Sequence, residues 1–222
     1  MCKFAFDRAK TGRDRNAPIR RRSVAALLGL ASAAAWLQHP AFAQQPLDRR
    51  ALVNGLQSGG FVVVHRYTGT TRSRLPRAQP GTIDDGQRLS SAGRADALAI
   101  GETYRRLKIQ VFRVLSSAYF FVYEAAAAAF GDRIDVHRDL TGSLHFTDPG
   151  ELDRSIAGLR LRVATPPAGG SNVVLWTHQG KFEKAFGYWL PSGETVVFRP
   201  SDDGKPHEVA RLSFKEFVEL TD

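Results

Sequence analysis

An apolar run that ends abruptly in polar residues decides the fold of this chain: residues 59–71 read Gly-Gly-Phe-Val-Val-Val-His-Arg-Tyr-Thr-Gly-Thr-Thr. Four consecutive β-favouring residues behind a Gly-Gly break predict a strand buried on both faces, as in the middle of a parallel sheet. Ligands of such sheets bind just beyond the carboxyl ends of the strands. We therefore expect the chemistry of the protein at His65, Arg66, Tyr67 and the loop after them.

The rest of the chain alternates strand and helix patterns, which is typical of βαβ units and a parallel sheet. A short helical pattern over 46–57 precedes the first strand. Apolar residues at helical spacing predict further helices from a cap at Ser90 or Ser91 to Leu107, from Ser116 to Phe130, and after Asp148-Pro149. Another predicted helix follows the strand end at 177–180, with Phe182, Ala185, Phe186 and Trp189 facing inward. Further strands are predicted at 111–116, 134–136 and 173–176, with a hairpin at 195–199 and 208–212 and a capping box at Ser213. The fold class is α/β, three-layered, with a mostly parallel central sheet.

The first 43 residues have the pattern of an export signal. Arg20-Arg21-Arg22 precede an apolar run over 24–37, and Pro40-Ala-Phe-Ala supplies a small-x-small cleavage pattern after Ala43. The run is shorter than the ~20 apolar residues of a membrane span. We expect a single domain over 44–222, without a membrane span, in the periplasm or secreted. Consecutive arginines favour the twin-arginine route, and the general secretory route is the alternative.

Removal of the leader changes the charge of the protein. Residues 1–43 carry 8 of the 31 Lys and Arg and 2 of the 22 Asp and Glu, so the net charge falls from +9 to +3. The basic balance of the whole chain is therefore no argument for nucleic-acid binding. Cys2 is the only cysteine and lies in the leader, which excludes a disulfide, a thiolate nucleophile or a cysteine metal ligand from the mature part. The sequence indicates neither a metal nor a cofactor, and it leaves the oligomeric state open.

Three predicted strand ends carry polar groups that could meet at one edge of the sheet: 65–67, Ser116-Ser117 and 177–179. A guanidinium together with free N–H groups at helix starts favours bound negative charge. The arrangement predicts a site for a phosphate-like anion, with capped strand ends of no further role as the alternative.

Six stretches give the chain a resemblance to the histidine phosphatase superfamily, the phosphoglycerate-mutase-like fold, and especially to its short exported bacterial members. They are Gly-Gly-Phe-Val-Val-Val-x-Arg at 59–66, Asp-Asp-x-Gln-Arg-Leu-Ser-x-x-Gly-Arg at 84–94, Val-Leu-Ser-Ser-x-Tyr at 114–119, Glu-Ala-Ala at 124–126, Asn-Val-Val-Leu-x-Thr-His-Gln at 172–179, and Ser-Gly-Glu-x-Val-Val-Phe-Arg-Pro at 192–200. Together they extend from about Leu47 to Phe217.

The resemblance implies roles for some residues of this chain, and it shows that two residues of the family's site are replaced. In the family, an Arg-His pair ends the first strand and its His is phosphorylated during turnover; a second Arg and a second His complete the phosphate pocket. Arg66 matches the first Arg and His178 the second His, while Tyr67 stands at the phosphorylated position and Phe121 at the second Arg. Glu124 matches an acidic position of the family. The predicted catalytic positions are thus Tyr67, His178 and Glu124.

The predicted anion-binding residues are Arg66, His178, Thr70 and Arg88. A phenol titrates near about 10 and is a poorer nucleophile at neutral pH than an imidazole. Loss of an arginine that stabilises transition-state charge typically costs about 100- to 1,000-fold in rate. These departures predict a pseudophosphatase that keeps part of a pocket for a phosphate-like anion or a phosphorylated small molecule. Phe121 and Tyr119 are predicted to be a hydrophobic plug that fills the family's pocket. Alternatives are a phosphomonoesterase with His65 or Tyr67 as a rearranged nucleophile, and an interaction protein whose pocket is closed.

Overall fold

The computed structural model describes residues 47–73 and 81–221. The predicted leader and its cleavage point lie outside the described residues, as does most of the Pro- and Arg-rich loop after Arg72. Within the described ranges, no helix has both the length and the apolarity that crossing a bilayer requires.

A six-stranded sheet forms the middle layer. Its strands are β1 (Val62–Arg66), β4 (Val111–Ser116), β5 (Ile134–Val136), β6 (Asn172–Thr177), β7 (Thr195–Arg199) and β8 (His207–Leu212), in the order β5-β4-β6-β1-β7-β8. The first four in this order are parallel, and the pairs β1–β7 and β7–β8 are antiparallel. Two short strands, β2 (Thr70–Arg72) and β3 (Gln87–Leu89), pair with each other apart from this sheet.

Helices cover both faces of the sheet, so the three-layer α/β/α prediction is confirmed. One face packs on α1 (Arg49–Ser58), α2 (Ser91–Arg106), α3 (Phe120–Phe130) and α6 (Phe214–Val218), and the other on α4 (Pro149–Ala164) and α5 (Gln179–Phe186). Two 3-10 turns lie at Arg138–Leu140 and Ser143–His145. Strand β1 shows why the central run is continuously apolar: Val63 joins the first core, whereas Val62 and Val64 join the second.

Local sequence signals account for most of the helix starts. Asp48, Ser90, Asp148 and Ser213 each accept a backbone N–H with the side chain, and Ser213 forms the predicted capping box with Glu216. A close approach fixes the position of α2, since a Cβ on Gly93 would lie 1.9 Å from the Gly69 carbonyl oxygen.

Two boundaries differ from the sequence predictions. Helix α3 begins at Phe120, after an extended Tyr119, so Ser116 and Ser117 belong to the strand end and not to the helix. Helix α5 ends at Phe186 because Gly187 adopts a left-handed conformation, and Trp189 is therefore 53% exposed and not in the core. The helical spacing of Phe182, Ala185, Phe186 and Trp189 predicts a helix that continues past Gly187, and this prediction is wrong at its C-terminal end.

Candidate functional site

A cavity of about 440 Å³ opens at the edge of the sheet where β1 and β6 end. Residues from five parts of the chain line it: Tyr67, Asp85, Gln87, Tyr119, Phe121, Gly142, Ser143, Leu144, His145, His178, Gln179, Gly180, Glu183, Lys184 and Trp189. The cavity lies where the sequence predicts the site, and six of its fifteen lining residues carry aromatic or imidazole rings. Tyr67, Phe121 and His178, three of the positions that the resemblance identifies, share this wall.

His178 is the polar group at the inner wall. It precedes α5, is 8% exposed, and its Nε2 lies 2.7 Å from Ser117 Oγ. Because Ser117 Oγ also accepts the Tyr119 N–H at 3.1 Å, its own proton is available for Nε2. We therefore assign the imidazole proton to Nδ1, which has no hydrogen-bond partner among the described residues. Burial lowers the pKa of His178 to about 3, with further lowering by Arg66 and Lys181, so the ring is neutral at pH 7.

Tyr67 follows β1 and is buried among neighbouring side chains. The Arg66 guanidinium carbon lies 4.4 Å from the centroid of the Tyr67 ring. The Tyr67 ring also packs edge to face on Phe121 at 4.8 Å and on His178 at 5.3 Å. Its hydroxyl has no hydrogen-bond partner among the described residues. Packing with Arg66, Phe121 and His178 therefore holds the phenol in place.

Phe121 lies in the first turn of α3 and is 3% exposed. Its ring centroid lies 5.6 Å from those of Tyr119 and His178. The space that a second guanidinium would take is thus occupied by an apolar ring. No metal cluster of three or more His, Cys, Asp or Glu side chains occurs in the ranges that the structure describes.

Arg66 lies directly behind the cavity wall. It is half-buried, and its Nε donates to Gln179 Oε1 at 3.0 Å. Its Nη atoms have no hydrogen-bond partner among the described residues. The guanidinium therefore supplies positive charge behind Tyr67 and Gln179, both of which line the cavity.

Two predicted anion-binding residues lie elsewhere. The Arg88 guanidinium is buried, donates two hydrogen bonds to Asp84 at 2.8 and 2.7 Å, and lies over the Phe120 ring. The Thr70 hydroxyl donates to Gln87 Oε1 at 3.2 Å. Neither residue lines the cavity. The Arg88 guanidinium thus holds the segment that carries Asp84.

Glu124 is also absent from the cavity wall, in contrast to the expected catalytic position. Its Oε2 accepts the Leu89 N–H at 3.0 Å, and its Oε1 lies 3.3 Å from Arg94 Nη2. The carboxylate therefore joins α3 to β3 and α2, which is a structural role.

His65 is fully buried in the core between the sheet and α2. Its Nε2 lies 2.9 Å from the Tyr104 hydroxyl and its Nδ1 2.9 Å from Thr195 Oγ1. Burial lowers its pKa to about 3. With both nitrogens engaged and no access to the cavity, His65 is excluded as the rearranged nucleophile.

Sequence reasoning missed the part of the wall formed by Gly142–His145, Asp85, Gln87 and Lys184. The 3-10 turn over Ser143–His145 follows no periodic pattern, so nothing in the sequence placed it at the site. Gln179 was recognisable, because it follows His178 at a strand end.

Comparisons with known proteins find likenesses among solved structures. No protein-family model matches the chain, and no curated protein matches it. A phosphohistidine phosphatase SixA from Agrobacterium tumefaciens, described as putative in its name, is 18% identical over 69% of this chain and 97% of its own, with a TM-score of 0.43. A phosphoserine phosphatase from Entamoeba histolytica, solved with 3-phosphoglyceric acid, is 10% identical over 71% and 98%, with a TM-score of 0.48.

A mycobacterial glucosyl-3-phosphoglycerate phosphatase is 18% identical over 63% of this chain and 89% of its own, with a TM-score of 0.40. At these identities and TM-scores, the likenesses say nothing about the activity of this chain. The histidine phosphatase superfamily, which the six sequence stretches resemble, is also the superfamily of these structural neighbours.

Proposed function

We propose that this protein is an exported pseudophosphatase: it has the frame of a histidine phosphatase, lacks the phosphoryl-transfer reaction, and acts by binding an anionic ligand. The observation that carries the proposal is the packing of Tyr67, at the position of the phosphorylated His, against Phe121, at the position of the second Arg. The two side chains pack into one volume, at the positions where the resemblance places a nucleophilic imidazole and a second guanidinium.

The chemistry of the wall supports the absence of turnover. A neutral phenol is a weak nucleophile unless a nearby base takes its proton. His178 is a weak base for this purpose, because burial lowers its pKa to about 3. The cation that contacts the Tyr67 ring is Arg66, and its Nε is already bound to Gln179.

Binding groups are nevertheless retained around the cavity. Arg66 supplies a guanidinium and His178 presents Nδ1–H. The first backbone N–H groups of α5 have no carbonyl acceptor within the helix, so they can bind an anion. The cavity reaches His178, which speaks against the alternative of an interaction protein with a closed pocket. Thr70 is bonded to Gln87 and Arg88 to Asp84, and neither lines the cavity, so neither belongs to the proposed site.

An active phosphomonoesterase is the remaining alternative, with Tyr67 as its nucleophile now that His65 is excluded. Arg66 over the Tyr67 ring is the observation in its favour, since it places a positive charge beside the position where a transferring phosphoryl group would carry negative charge.

Trapping of a phosphoenzyme separates the two functions. The protein is incubated with an aryl phosphate, quenched, digested and mapped by mass spectrometry. We expect no phosphorylated peptide; phosphotyrosine at residue 67 would refute the proposal. Phosphate or vanadate should raise the melting temperature slightly, and an unchanged melting temperature would count against the retained anion pocket.

Export is proposed from the leader alone. Determination of the mature N-terminus after expression in a bacterial host should place it near residue 44. Replacement of Arg21 and Arg22 by Lys should block export if the twin-arginine route is used and leave it intact if the general route is used.

A further inference from the structure

We propose that the cavity binds an aromatic monocarboxylate, an aryl ring with one carboxylate group, in preference to a phosphate ester. The inference rests on the proposed function, because it names the chemical class of the ligand for the same site. It follows from the charges, the free donors and the ring surfaces of the cavity.

The charges favour an anion with one negative charge over one with two. Arg66 behind the wall and Lys184 on the wall are cations, and the charge of the buried Lys181 also acts on His178, which is itself neutral at pH 7. Against them, the wall carries the carboxylates Asp85 and Glu183. Phosphate monoesters are largely dianionic at pH 7, because their second pKa is about 6. A carboxylate needs only one countercharge, which Arg66 supplies.

At the inner wall, three groups that can donate hydrogen bonds have no partner among the described residues. They are His178 Nδ1–H, Gln179 Nε2, whose neighbouring Oε1 accepts from Arg66, and the Arg66 Nη atoms. His178 is the decisive one, since it is 8% exposed and lines the cavity. The Nδ1 atom is not fully buried, and a hydrogen bond to a carboxylate is stronger than one to a neutral acceptor such as water, so a carboxylate of a ligand would be a favourable partner here. A planar carboxylate presents two acceptor oxygens to such a set.

One part of the remaining wall is a series of neighbouring rings. Ring centroids are separated by 4.8 Å between Tyr67 and Phe121, 5.6 Å between Phe121 and Tyr119, and 5.9 Å between Tyr119 and His145. Trp189 adds a half-exposed indole to the lining. Rings at these separations pack favourably on a further aromatic group, and about 440 Å³ is within the usual range for small-molecule sites. The body of the ligand is therefore aromatic.

An aromatic wall with two carboxylates could also suit an organic cation, and the local contacts argue against that ligand. The Arg66 guanidinium already lies over the Tyr67 ring. Both Asp85 oxygens accept hydrogen bonds from Gln87, one from its N–H at 3.0 Å and one from its Nε2 at 2.9 Å. A cation would meet the fixed positive charge of Arg66 at the inner end of the cavity.

Isothermal titration of the full chain at about pH 7.5 with four matched probes tests the inference: phenylacetate, phenyl phosphate, benzylamine and acetate. We expect phenylacetate to bind at least about 10-fold more tightly than each of the others. Tighter binding of phenyl phosphate without hydrolysis would overturn the inference and leave the proposed function standing. Hydrolysis of phenyl phosphate would overturn the proposed function itself. Preferential binding of benzylamine or acetate, or no binding of any probe, would also overturn the inference.

Three variants locate the binding site. Arg66→Gln should weaken phenylacetate binding by about 10-fold or more, because a charge-assisted contact is lost. Phe121→Arg should shift the preference toward phenyl phosphate by adding a guanidinium and removing a ring. Arg154→Gln, at an exposed position of α4 outside the cavity, is the charge-matched control and should bind as the parent does. Circular dichroism of each variant checks the fold; equal phenylacetate affinity in Arg66→Gln and Arg154→Gln would contradict the assignment.

Discussion

The rings of Tyr67 and Phe121 meet edge to face with their centroids 4.8 Å apart, one at the end of β1 and the other at the start of α3. Both rings also contact His178. Two departures from the histidine phosphatase pattern, 54 positions apart in sequence, are thus one packing unit in the fold. The contact indicates that the apolar filling of the pocket contributes to the stability of the domain.

Replacement of Phe121 by Ala should therefore destabilise the domain. Removal of a buried phenyl ring typically costs about 3–5 kcal/mol, and we expect about 3 kcal/mol because the ring borders a cavity. Urea unfolding at pH 7 measures the change. Phe112→Ala is the control, since Phe112 is 60% exposed and its loss should change stability by less than about 0.5 kcal/mol. Similar unfolding midpoints for the two variants would show that Phe121 is not part of the core.

Glu124 offers a test of structural against catalytic function. Glu124→Ala should cost about 1–3 kcal/mol, because the buried Leu89 N–H loses its acceptor. Glu124→Gln keeps a carbonyl oxygen for that N–H and loses only the pairing with the half-exposed Arg94, so most of the stability should return. Chemical denaturation of both variants decides. Equal destabilisation by Gln and by Ala would show that the hydrogen bond to the Leu89 N–H is not what joins α3 to β3.

Acid stability should depend on the buried His65. The pKa of its ring is about 3 in the folded protein, against about 6.5 for an exposed imidazole. Between these values the unfolded chain binds more protons, so stability is complete above about pH 6.5 and falls as the pH drops toward 3. At about pH 4.5, one such group accounts for a loss of about 2–3 kcal/mol. His178, whose pKa is also lowered to about 3, should act in the same direction.

The variant His65→Gln isolates this contribution. The difference in unfolding free energy between pH 7 and about pH 4.5 should be smaller in the variant than in the parent by about 2–3 kcal/mol. The comparison of differences removes the cost that the substitution itself has at pH 7. An identical pH dependence of the two proteins would show that the His65 imidazole is not kept neutral by burial.

Much of the fold could be predicted from the sequence because its signals are local. The strand at 111–116 and the edge strand at 134–136 have the predicted bounds, and the caps at Asp148 and Ser213 are where the residue types place them. The three-layer order follows from the alternation of strands and helices, because each amphipathic helix must bury its apolar face against the sheet.

The site was less predictable, because it depends on which partner each polar side chain finds in three dimensions. Arg88 lies in one of the stretches that resemble the family, which made it a candidate for anion binding. Its guanidinium instead pairs with Asp84, four positions earlier in the chain, and does not reach the cavity. Glu124 finds the Leu89 N–H, and the 3-10 turn at Ser143–His145 reaches the cavity without any sequence pattern. Residue spacing identifies strand ends, whereas ion pairing and packing between elements decide which side chains face the ligand.

The rate of aryl phosphate hydrolysis by the parent protein, the Tyr67→His, Phe121→Arg double variant and a Tyr67→Phe control tests the central claim most directly. Restoration of an imidazole nucleophile and a second guanidinium should give the double variant measurable turnover, while the parent and Tyr67→Phe stay at the same background. Hydrolysis by the parent that is abolished in Tyr67→Phe would contradict the claim, because it would identify Tyr67 as a working nucleophile.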